Sequence, residues 1–326
     1  MESVLVTGGA GFIGSNIAEA LLAQGRQVVI FDDLSTGKME NVLDIKSNGI
    51  KSNGNMKFVK GSILDSGLLR SIIKSDQISM ICHQAAVSSV SKSILDPVKT
   101  METNITGTTS LFQMAAEYGC KQVVFASSSS IYGDAPELPK RETMQPSPKS
   151  PYAMSKAAKE MLGRIFSDLY GISIVGLRYF NVYGKRQDPA SDYAAVIPKF
   201  IAMALKNEPI PVDGDGRQTR DFVYIDDVVN ANLKALTAGH LNCSIYNVAN
   251  GEQTSVLELA RTIIELTGSK SEIVFMPRRV GDIRDSVGDI EHAHKNLGYR
   301  RTFDIRKGLA ETIAWYREHA GQPCAA

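Results

Sequence analysis

Tyr152 and Lys156 carry the clearest chemical signal in the sequence. They belong to the segment SPYAMSK at residues 150–156, which is predicted to open a helix. Because the two residues are four positions apart, they share one face of that helix, one turn from each other. A lysine ammonium near a phenol lowers the phenol pKa from its reference value of about 10. We therefore predict that Tyr152 is an acid–base group that takes a proton from a hydroxyl.

The glycine-rich segment VLVTGGAGFIG at residues 4–14 indicates what accompanies this chemistry. A short apolar run leads into glycines with both G-x-x-G-x-x-G and G-x-G-x-x-G spacing, and a helical pattern follows. Glycines permit a tight turn and a close backbone approach, and a helix N-terminus attracts a pyrophosphate. A second apolar run ends at Asp32, where dinucleotide-binding folds place the carboxylate that accepts hydrogen bonds from the adenosine ribose. The alternative is a plain glycine-rich turn with Asp32 as a cap.

These observations together predict a bound NAD. The adjacent carboxylates of Asp32 and Asp33 repel the 2′-phosphate of NADP, so NAD is favoured. The nicotinamide cation adds to the effect of Lys156 on the phenol pKa. A tyrosine and a lysine at this spacing are common by chance. Their position after a dinucleotide fingerprint, a strand and the serine cluster SSSSIYG at residues 127–133 favours the catalytic interpretation.

The elements that position these residues alternate as a doubly wound parallel sheet requires, so the predicted fold class is α/β and Rossmann-like. The apolar runs predict strands at 3–7, 27–32, 56–59, 78–83, 122–127 and 172–178. The helical patterns between them predict helices near 12–24, 65–74, 98–119 and 152–170. The polar segment Lys46–Asn55 is predicted to be an exposed loop.

Two domains are predicted from a change of character near Tyr179. Residues 1–178 are predicted to form the NAD-binding domain, and residues 179–326, where prolines and irregular spacing begin, a smaller C-terminal domain. Residues 222–238 again have the pattern of a strand followed by a helix. The chain is therefore predicted to rejoin the first domain over about 222–245.

Composition argues against several classes of protein. Charged residues make up 22% of the 326 residues and balance to a formal +1, so no net field draws the protein to nucleic acid or to a membrane surface. No apolar run approaches the ~18 residues of a membrane span. The first strand begins close to Met1, so no signal peptide is expected. The four cysteines are scattered outside metal-ligand spacing, which predicts reduced thiols, no metal site and a cytoplasmic location.

The sequence resembles the extended short-chain dehydrogenases/reductases of the nucleotide-sugar epimerase group, over nearly its whole length. The motifs that carry the resemblance stand in family order: TGGAGFIG, the strand ending at Asp32, SSSSIYG, SPYAMSK, LRYFNVYG at 177–184 and GDGRQTRDFVYIDDV at 214–228. Within the group, RYFNVYGKRQDP followed by YAAVIPKF is similar to UDP-N-acetylglucosamine 4-epimerases. The resemblance implies a smaller C-terminal domain that binds a UDP-sugar, and a homodimer.

The resemblance also implies catalytic and cofactor-binding residues. Ser128 matches a serine that shares a proton with the catalytic tyrosine, Tyr152 the general acid/base, and Lys156 its electrostatic partner, which also binds the nicotinamide ribose. The implied cofactor-binding residues are Gly8, Gly11, Phe12, Ile13, Gly14, Asp32, Asp33, Ser35, Thr36, Gly37, Ser62, Ile63, Gln84, Ala85, Ala86, Asn104, Tyr152, Lys156 and Tyr179. Ser62 departs from the family, which usually has an aspartate there for the adenine amino group. Serine accepts a hydrogen bond more weakly, so adenine recognition is expected to rely more on backbone contacts.

The substrate side follows from the same resemblance. The implied substrate-binding residues are Ser88, Ser128, Ser130, Tyr152, Asn181, Val196, Arg220, Arg279, Asp282 and Ser286. The two arginines suit a diphosphate, because a guanidinium pairs with phosphate oxygens at two points. The simpler interpretations are that Arg220 forms a surface pair with Asp221 and that Arg279 belongs to a solvated basic patch.

The implied function is a UDP-hexose 4-epimerase that inverts C4 through a transient 4-keto sugar with bound NAD. Its implied substrates are UDP-N-acetylglucosamine and UDP-N-acetylgalactosamine, and also UDP-glucose and UDP-galactose, because Ser286 leaves room for an acetamido group where sugar-restricted relatives often carry tyrosine. The alternative for Ser286 is a turn before the next helix. A UDP-glucuronate 4-epimerase remains open. A 4,6-dehydratase, a UDP-glucuronate decarboxylase and a non-catalytic NAD-binding regulator are disfavoured, the first two by Ser129 and Ser130 and the third by the Tyr152–Lys156 pair.

Overall fold

A computed structural model of the protein describes residues 2–47, 55–189, 195–239, 241–278 and 284–319. Its strands are β1 Ser3–Thr7, β2 Gln27–Asp32, β3 Met56–Lys60, β4 Ile78–His83, β5 Gln122–Ser128, β6 Ser173–Tyr179, β7 Asn181–Tyr183, β8 Ile210–Asp213, β9 Thr219–Arg220, β10 Phe222–Tyr224, β11 Ser244–Val248, β12 Thr254–Ser255 and β13 Ile273–Met276. Its α-helices are α1 Phe12–Ala23, α2 Met39–Ser47, α3 Ser66–Ser75, α4 Val90–Leu95, α5 Pro97–Met101, α6 Gly107–Glu117, α7 Pro151–Tyr170, α8 Val196–Leu205, α9 Ile225–Thr237, α10 Val256–Thr267, α11 Glu291–Leu297 and α12 Ile305–His319.

Seven parallel strands form the central sheet in the order β3-β2-β1-β4-β5-β6-β11. In its centre, Leu5 of β1 lies opposite Val29 of β2 and Ile81 of β4. Every residue of β1 and β5 is buried, as expected for parallel strands covered by helices on both faces. The predicted doubly wound α/β fold is confirmed, and each of the six predicted strands agrees with its observed bounds to within one residue at either end.

The predicted helix 98–119 is interrupted by a wider turn. Helices α5 and α6 are joined by a π-helical segment, Glu102–Thr106, with no break in the helical path. A π turn inserts an extra residue and is frequent at functional sites. Sequence periodicity does not reveal it, because the apolar spacing on either side remains helical.

Part of the predicted loop Lys46–Asn55 is helical. Lys46 and Ser47 form the last turn of α2, a helix that the sequence pattern did not predict, and residues 48–54 lie outside the described residues. Only Val42 and Ile45 of helix α2 are buried. Lys46 and Ser47 are exposed, so their polar pattern does not distinguish the end of a helix from a loop.

The C-terminal half contributes both to the central sheet and to smaller sheets. Strand β11 pairs with β6 at the edge of the central sheet, and α9 packs on α1, β4 and β5. Among the described residues, three two-stranded sheets lie outside it: β7 with β10, β8 with β13, and β9 with β12. The strand and helix predicted over 222–238 correspond to β10 and α9, whereas the division into two domains at Tyr179 stays a prediction.

Candidate active site

The predicted cofactor and catalytic residues converge on one edge of the central sheet. Gly8 follows β1, Asp32 ends β2, Gln84 follows β4, Ser128 ends β5 and Tyr179 ends β6. In a parallel sheet these carboxyl ends share one side, and ligands of doubly wound folds bind in the crevice beyond them. The topology therefore brings together residues that are far apart in sequence.

The turn after β1 requires glycine for two steric reasons. Gly8 has φ +67°, and a Cβ there would lie 2.6 Å from the backbone nitrogen of Ala85. A Cβ at Gly14 would lie 2.1 Å from the carbonyl oxygen of Gly8. Helix α1 then begins at Phe12 after Gly11, which supplies no side-chain cap. The uncapped N–H groups of the first turn suit an anionic group such as a pyrophosphate.

Asp32 is a buried carboxylate that also organises the turn beside it. Its Oδ2 accepts the N–H of Ala10 at 3.0 Å, and its Oδ1 accepts the N–H of Leu34 at 2.8 Å. A Cβ at Gly37 would lie 2.7 Å from Oδ1, so the segment after β2 passes closely over the carboxylate. Burial raises the pKa of Asp32, opposed by these backbone hydrogen bonds. Each carboxylate oxygen retains acceptor capacity for a ribose hydroxyl.

The outer residues of the predicted adenosine site are less enclosed. Ser62 Oγ accepts the N–H of Leu64 at 3.3 Å, which leaves its own proton available for another acceptor. Ile63 is buried and packs closely against the Cα of Gly107. Three predicted residues after β2 are exposed: Asp33, Ser35 and Thr36.

Gln84 and Tyr179 belong to a polar cluster that sequence reasoning only partly identified. The hydroxyl of Tyr179 contacts the Gln84 side-chain oxygen at 3.2 Å and the Asn232 amide at 2.9 Å. The Gln84 side-chain nitrogen donates to Asn232 Oδ1 at 3.2 Å and to the Cys82 sulfur at 3.3 Å. Asn232 was not predicted, because it lies on α9, far along the chain, where nothing in the pattern separates it from a surface residue.

Asn104 holds the loop after β4 in place from the π turn. Its Oδ1 accepts the N–H of Val87 at 2.8 Å, and its Nδ2 donates to the Val87 carbonyl at 3.1 Å and to Ser155 Oγ at 2.9 Å. Ser155 in turn donates to the carbonyl oxygen of Tyr152 at 2.7 Å. The fully buried Asn104 amide therefore connects the loop containing Gln84, Ala85 and Ala86 to the catalytic helix.

The predicted catalytic side chains meet at the start of α7. Ser128 Oγ accepts the N–H of Ser130 at 3.1 Å and hydrogen-bonds to the Tyr152 phenol. Lys156 Nζ lies 5.4 Å from the centre of the Tyr152 ring and donates to the Ala126 carbonyl at 2.9 Å. The helical spacing of Tyr152 and Lys156 on α7 and the position of Ser128 at the end of β5 thus place a hydroxyl, a phenol and a buried amine in one cluster.

The pKa values of this cluster differ from the expectation in one respect. Burial raises the pKa of Tyr152, and the hydrogen bond from Ser128 opposes this shift. Burial also lowers the pKa of Lys156 to about 8, opposed by the charge of Glu160. The prediction of a lowered Tyr152 pKa is therefore wrong for the protein without its cofactor, because desolvation of the phenol outweighs the interactions that favour the phenolate.

A buried ionic network supports the catalytic strand and was not predicted. Arg178 Nη2 donates to Glu160 at 2.7 Å, and Arg178 Nη1 donates to the Tyr132 hydroxyl at 2.9 Å. Ser127 Oγ donates to the same Glu160 carboxylate at 2.5 Å. Ser127 therefore has a structural role, and its side chain lies on the face of β5 opposite to that of Ser128. The tyrosine hydroxyl donates in turn to Asn247 Oδ1 at 2.7 Å, which extends the network to β11.

On the predicted substrate side, Asp221 is a structural acceptor. Its carboxylate is fully buried and accepts the N–H groups of Asn250 at 2.7 Å, Gly251 at 2.9 Å and Gly288 at 3.1 Å. Burial raises the pKa of Asp221 to about 6. A simple surface pair with Arg220 is therefore excluded. The Arg220 guanidinium donates to the Thr219 carbonyl at 2.7 Å.

The remaining predicted substrate residues differ in their surroundings. Ser130 Oγ is buried and finds no hydrogen-bond partner within the described part of the chain, so it is available to a bound hydroxyl. Ser286 is half-buried, and α11 begins five residues later behind Ile290, so Ser286 does not cap that helix. Of the others, Ser88 is exposed after β4, Asn181 is exposed at the start of β7, and Val196 is half-buried at the start of α8, where it packs against the hydrophobic core. Arg279 and Asp282 lie outside the described residues.

Comparison with known proteins gives the family of this chain. The model of the NAD dependent epimerase/dehydratase family matches residues 4–249. The chain belongs to this family. The resemblance to the nucleotide-sugar epimerase group is thereby confirmed, and the protein is an NAD-dependent enzyme of the family.

Similar proteins match nearly the whole length of this chain. A putative UDP-glucose 4-epimerase from Methanocaldococcus jannaschii is 38% identical over 97% of this chain and 99% of its own. The structure of a UDP-N-acetylglucosamine 4-epimerase from Methanobrevibacter ruminantium, in complex with UDP-N-acetylmuramic acid, is 36% identical and superposes with a TM-score of 0.91 over 98% of this chain and 99% of that one. A UDP-glucose 4-epimerase from Thermus thermophilus in complex with NAD is 38% identical, with a TM-score of 0.86 over 98% and 100%. A UDP-glucuronate 4-epimerase and dTDP-glucose 4,6-dehydratases are also similar.

The residues of this chain fit the cofactor of the family. Gly8 and Gly14 leave no room for a Cβ, α1 begins with uncapped N–H groups, and the buried Asp32 carboxylate ends β2. None of the described helices combines the length and the apolar character needed to cross a membrane. Within the described ranges, no three His, Cys, Asp or Glu side chains are grouped to hold a metal ion.

Proposed function

We propose that the protein is a UDP-hexose 4-epimerase that interconverts UDP-N-acetylglucosamine and UDP-N-acetylgalactosamine and also accepts UDP-glucose and UDP-galactose. The observation that carries the proposal is the catalytic cluster: the Tyr152 phenol, hydrogen-bonded to Ser128 and flanked by Lys156. Family membership supports the coarser assignment, and Ser286 supports the range of sugars.

In this proposal, Tyr152 accepts the proton of the sugar 4-hydroxyl and later returns it. The Ser128 hydroxyl donates to the phenolate oxygen, and the Lys156 ammonium stabilises its charge. The chemistry that NAD supplies when bound is reversible hydride transfer at C4, with a transient 4-keto sugar. Burial in the folded chain raises the pKa of Tyr152. Lowering that pKa toward neutrality therefore requires the positive charge of the oxidised cofactor in addition to that of Lys156.

The serines after β5 favour epimerisation over dehydration. A 4,6-dehydratase needs an acid and a base where this chain has Ser129 and Ser130, and hydroxyls serve neither role near neutral pH. The buried, unpartnered Ser130 Oγ suits a hydroxyl of the sugar instead. A UDP-glucuronate 4-epimerase is the second candidate, since one similar protein bears that name.

A substrate panel tests the proposal. The purified protein, without added NAD, is incubated separately with UDP-galactose, UDP-N-acetylgalactosamine and UDP-glucuronate, and the products are resolved by chromatography. We expect conversion of the first two to their C4 epimers. Conversion of UDP-glucuronate alone would select the second candidate, and a 4-keto-6-deoxy product would identify a dehydratase.

Activity is expected to fall as the pH rises through about 8. The Lys156 ammonium is protonated below its folded-state pKa of about 8, which lies below the 10.5 of a free lysine because of burial. Above that pH the amine is neutral and no longer stabilises the phenolate, so kcat/KM decreases. In Lys156→Arg the positive charge persists at alkaline pH, because a guanidinium does not lose its proton there. The decrease of kcat/KM on the alkaline side of the pH profile is therefore expected to move to higher pH by more than one unit. An unchanged alkaline limb in the variant would assign it to another group.

We further propose that the enzyme forms a homodimer through an apolar stripe on α7. Met161, Ile165 and Leu169 are spaced one turn apart and are 60%, 49% and 71% exposed. A continuous apolar stripe on a surface helix commonly marks a protein interface. Leu111 and Met114 of helix α6 are buried in the core of the monomer and do not reach this surface, so they do not contribute to the proposed interface.

Light scattering of single variants tests the dimer. Ile165→Asp is expected to give monomers at micromolar concentration, because it places a charge in the centre of the stripe. Leu43→Asp is the matched control, since Leu43 is 54% exposed on α2, outside the stripe. A wild-type monomer, or a dimer that persists in Ile165→Asp, would contradict this interface.

A further inference from the structure

Asn232 of α9 forms a hydrogen-bonded cluster with two residues of the predicted cofactor site. The Gln84 side-chain nitrogen donates to Asn232 Oδ1 at 3.2 Å, and Asn232 Nδ2 donates to the Tyr179 hydroxyl at 2.9 Å. That hydroxyl donates to Gln84 Oε1 at 3.2 Å or to Asn232 Oδ1 at 3.0 Å. We call these three side chains the Asn232 cluster. Each of its members is thus bonded to both of the others.

The backbone of α9 fixes the direction in which the Asn232 amide points. A carbonyl oxygen can only accept a hydrogen bond, so the contact of the Asn232 amide with the Val228 carbonyl, at 2.8 Å, requires the nitrogen Nδ2. The oxygen Oδ1 is then directed toward Gln84, whose amide must present its nitrogen in return. The same Gln84 nitrogen donates to the Cys82 sulfur at 3.3 Å. The orientation of the Gln84 side chain is therefore set from α9.

Burial makes these hydrogen bonds hard to replace. Asn232 is 0% exposed and Tyr179 is 6% exposed, whereas Gln84 is half-buried. Water does not reach Asn232, and a buried polar group that loses its partner keeps the full penalty of its desolvation. Gln84 is therefore the member of the cluster that meets the crevice beyond the strands, and Asn232 is the member that supports it from inside.

The loop after β4, which begins at Gln84, rests directly on the glycine turn. A Cβ at Gly8 would lie 2.6 Å from the backbone nitrogen of Ala85 and 2.9 Å from the carbonyl carbon of Gln84. The buried amide of Asn104 holds the far end of this loop. Its start is held by the Asn232 cluster. Two buried amides from different helical segments therefore define the shape of one wall of the predicted cofactor crevice.

The strand order assigns this wall to one half of the cofactor. Strand β1 lies between β2, which ends at Asp32, and β4, with β5 and β6 beyond β4. The predicted adenosine ribose site is at Asp32 and the predicted pyrophosphate site is at the glycine turn after β1. The nicotinamide half therefore extends toward β4 and β5, the side on which Ser128 ends β5. ADP lacks this half and does not extend to the loop after β4.

We propose that Asn232 is a positioning residue for the nicotinamide half of NAD. By fixing the Gln84 amide and the Tyr179 hydroxyl, it holds the loop after β4 in the shape that receives this half. Because Asn232 is fully buried, it acts through these two residues and does not itself contact the cofactor. The proposal concerns the cofactor of the family and holds for whichever nucleotide sugar is the substrate.

Equilibrium dialysis against labelled NAD and labelled ADP tests this role, with full-length protein freed of bound nucleotide. Asn232→Leu keeps the approximate size of the side chain and removes its amide. We expect the NAD dissociation constant to rise about tenfold, as for the loss of one or two hydrogen bonds, and the ADP constant to change by less than about twofold. Asn230→Leu is the matched control, because Asn230 is half-buried on the same helix outside the cluster. It is expected to keep both wild-type constants.

Two results for Asn232→Leu would overturn the proposal. An unchanged NAD constant would show that the amide does not support the cofactor, and an equal rise for NAD and ADP would show a general loss of structure. If this variant does not fold by circular dichroism, Tyr179→Phe decides, because it keeps the ring in the hydrophobic core and deletes only the hydroxyl of the cluster. There the NAD constant is expected to rise about threefold with ADP binding unchanged, and a wild-type NAD constant overturns the positioning role.

Discussion

Replacement of Tyr152 by phenylalanine is expected to abolish epimerisation and leave ligand binding intact. The substitution keeps the ring packed beside Lys156 and deletes only the oxygen that hydrogen-bonds to Ser128. General acid–base groups contribute about 10²–10⁴-fold to the rate, and kcat is expected to fall by this factor. NAD content of the purified protein and calorimetric titration with UDP serve as the binding measurements.

Two further variants calibrate that result. Tyr170→Phe, at an exposed tyrosine on the same helix, is the matched control and is expected to retain wild-type turnover. Ser128→Ala is expected to reduce turnover less than Tyr152→Phe, because water can partly replace its hydroxyl. If Tyr152→Phe kept more than about a tenth of wild-type turnover, another group would be the base.

Replacement of Ser286 by tyrosine is expected to remove activity on the N-acetylated sugars and spare UDP-galactose. Ser286 is half-buried and lies two residues before Gly288, whose N–H is held by the buried Asp221 carboxylate. The neighbouring Asp285 accepts the Thr219 hydroxyl at 2.8 Å, so the segment has support on both sides of Ser286. We therefore expect an added phenol ring to fill the acetamido space without displacing the backbone.

The measurement is kcat/KM for each substrate pair. In Ser286→Tyr the value for UDP-N-acetylgalactosamine is expected to fall by about 100-fold, within the range by which pocket shape commonly discriminates. The value for UDP-galactose is expected to change by less than about threefold. Ser286→Ala keeps the space and is the control, with both pairs accepted. Equal losses for both pairs in Ser286→Tyr, or a wild type inactive on N-acetylated sugars, would remove Ser286 as the specificity residue.

The sequence predicts the central sheet accurately because its signals are local. Each strand is an apolar run bounded by turn residues, and Tyr152 and Lys156 lie one turn apart wherever that helix is placed. The glycines after β1 are similarly informative, because the positive φ at Gly8 and the 2.1 Å approach at Gly14 admit no other residue. Where local signals are weak, as in α2 with its two buried apolar residues, the prediction fails.

The sequence by itself determined the fold class, the NAD fingerprint and the acid–base pair, since each depends on residue types at short spacing. Only the tertiary structure decided which buried charges and amides support them. Asp221 is a buried acceptor of three backbone N–H groups, and Asn104 connects Val87 to Ser155. Arg186 reaches carboxylates more than 140 positions away in the chain. Such contacts depend on long-range topology, and desolvation, which raises the pKa of Tyr152, depends on the packed surroundings that only the folded chain provides.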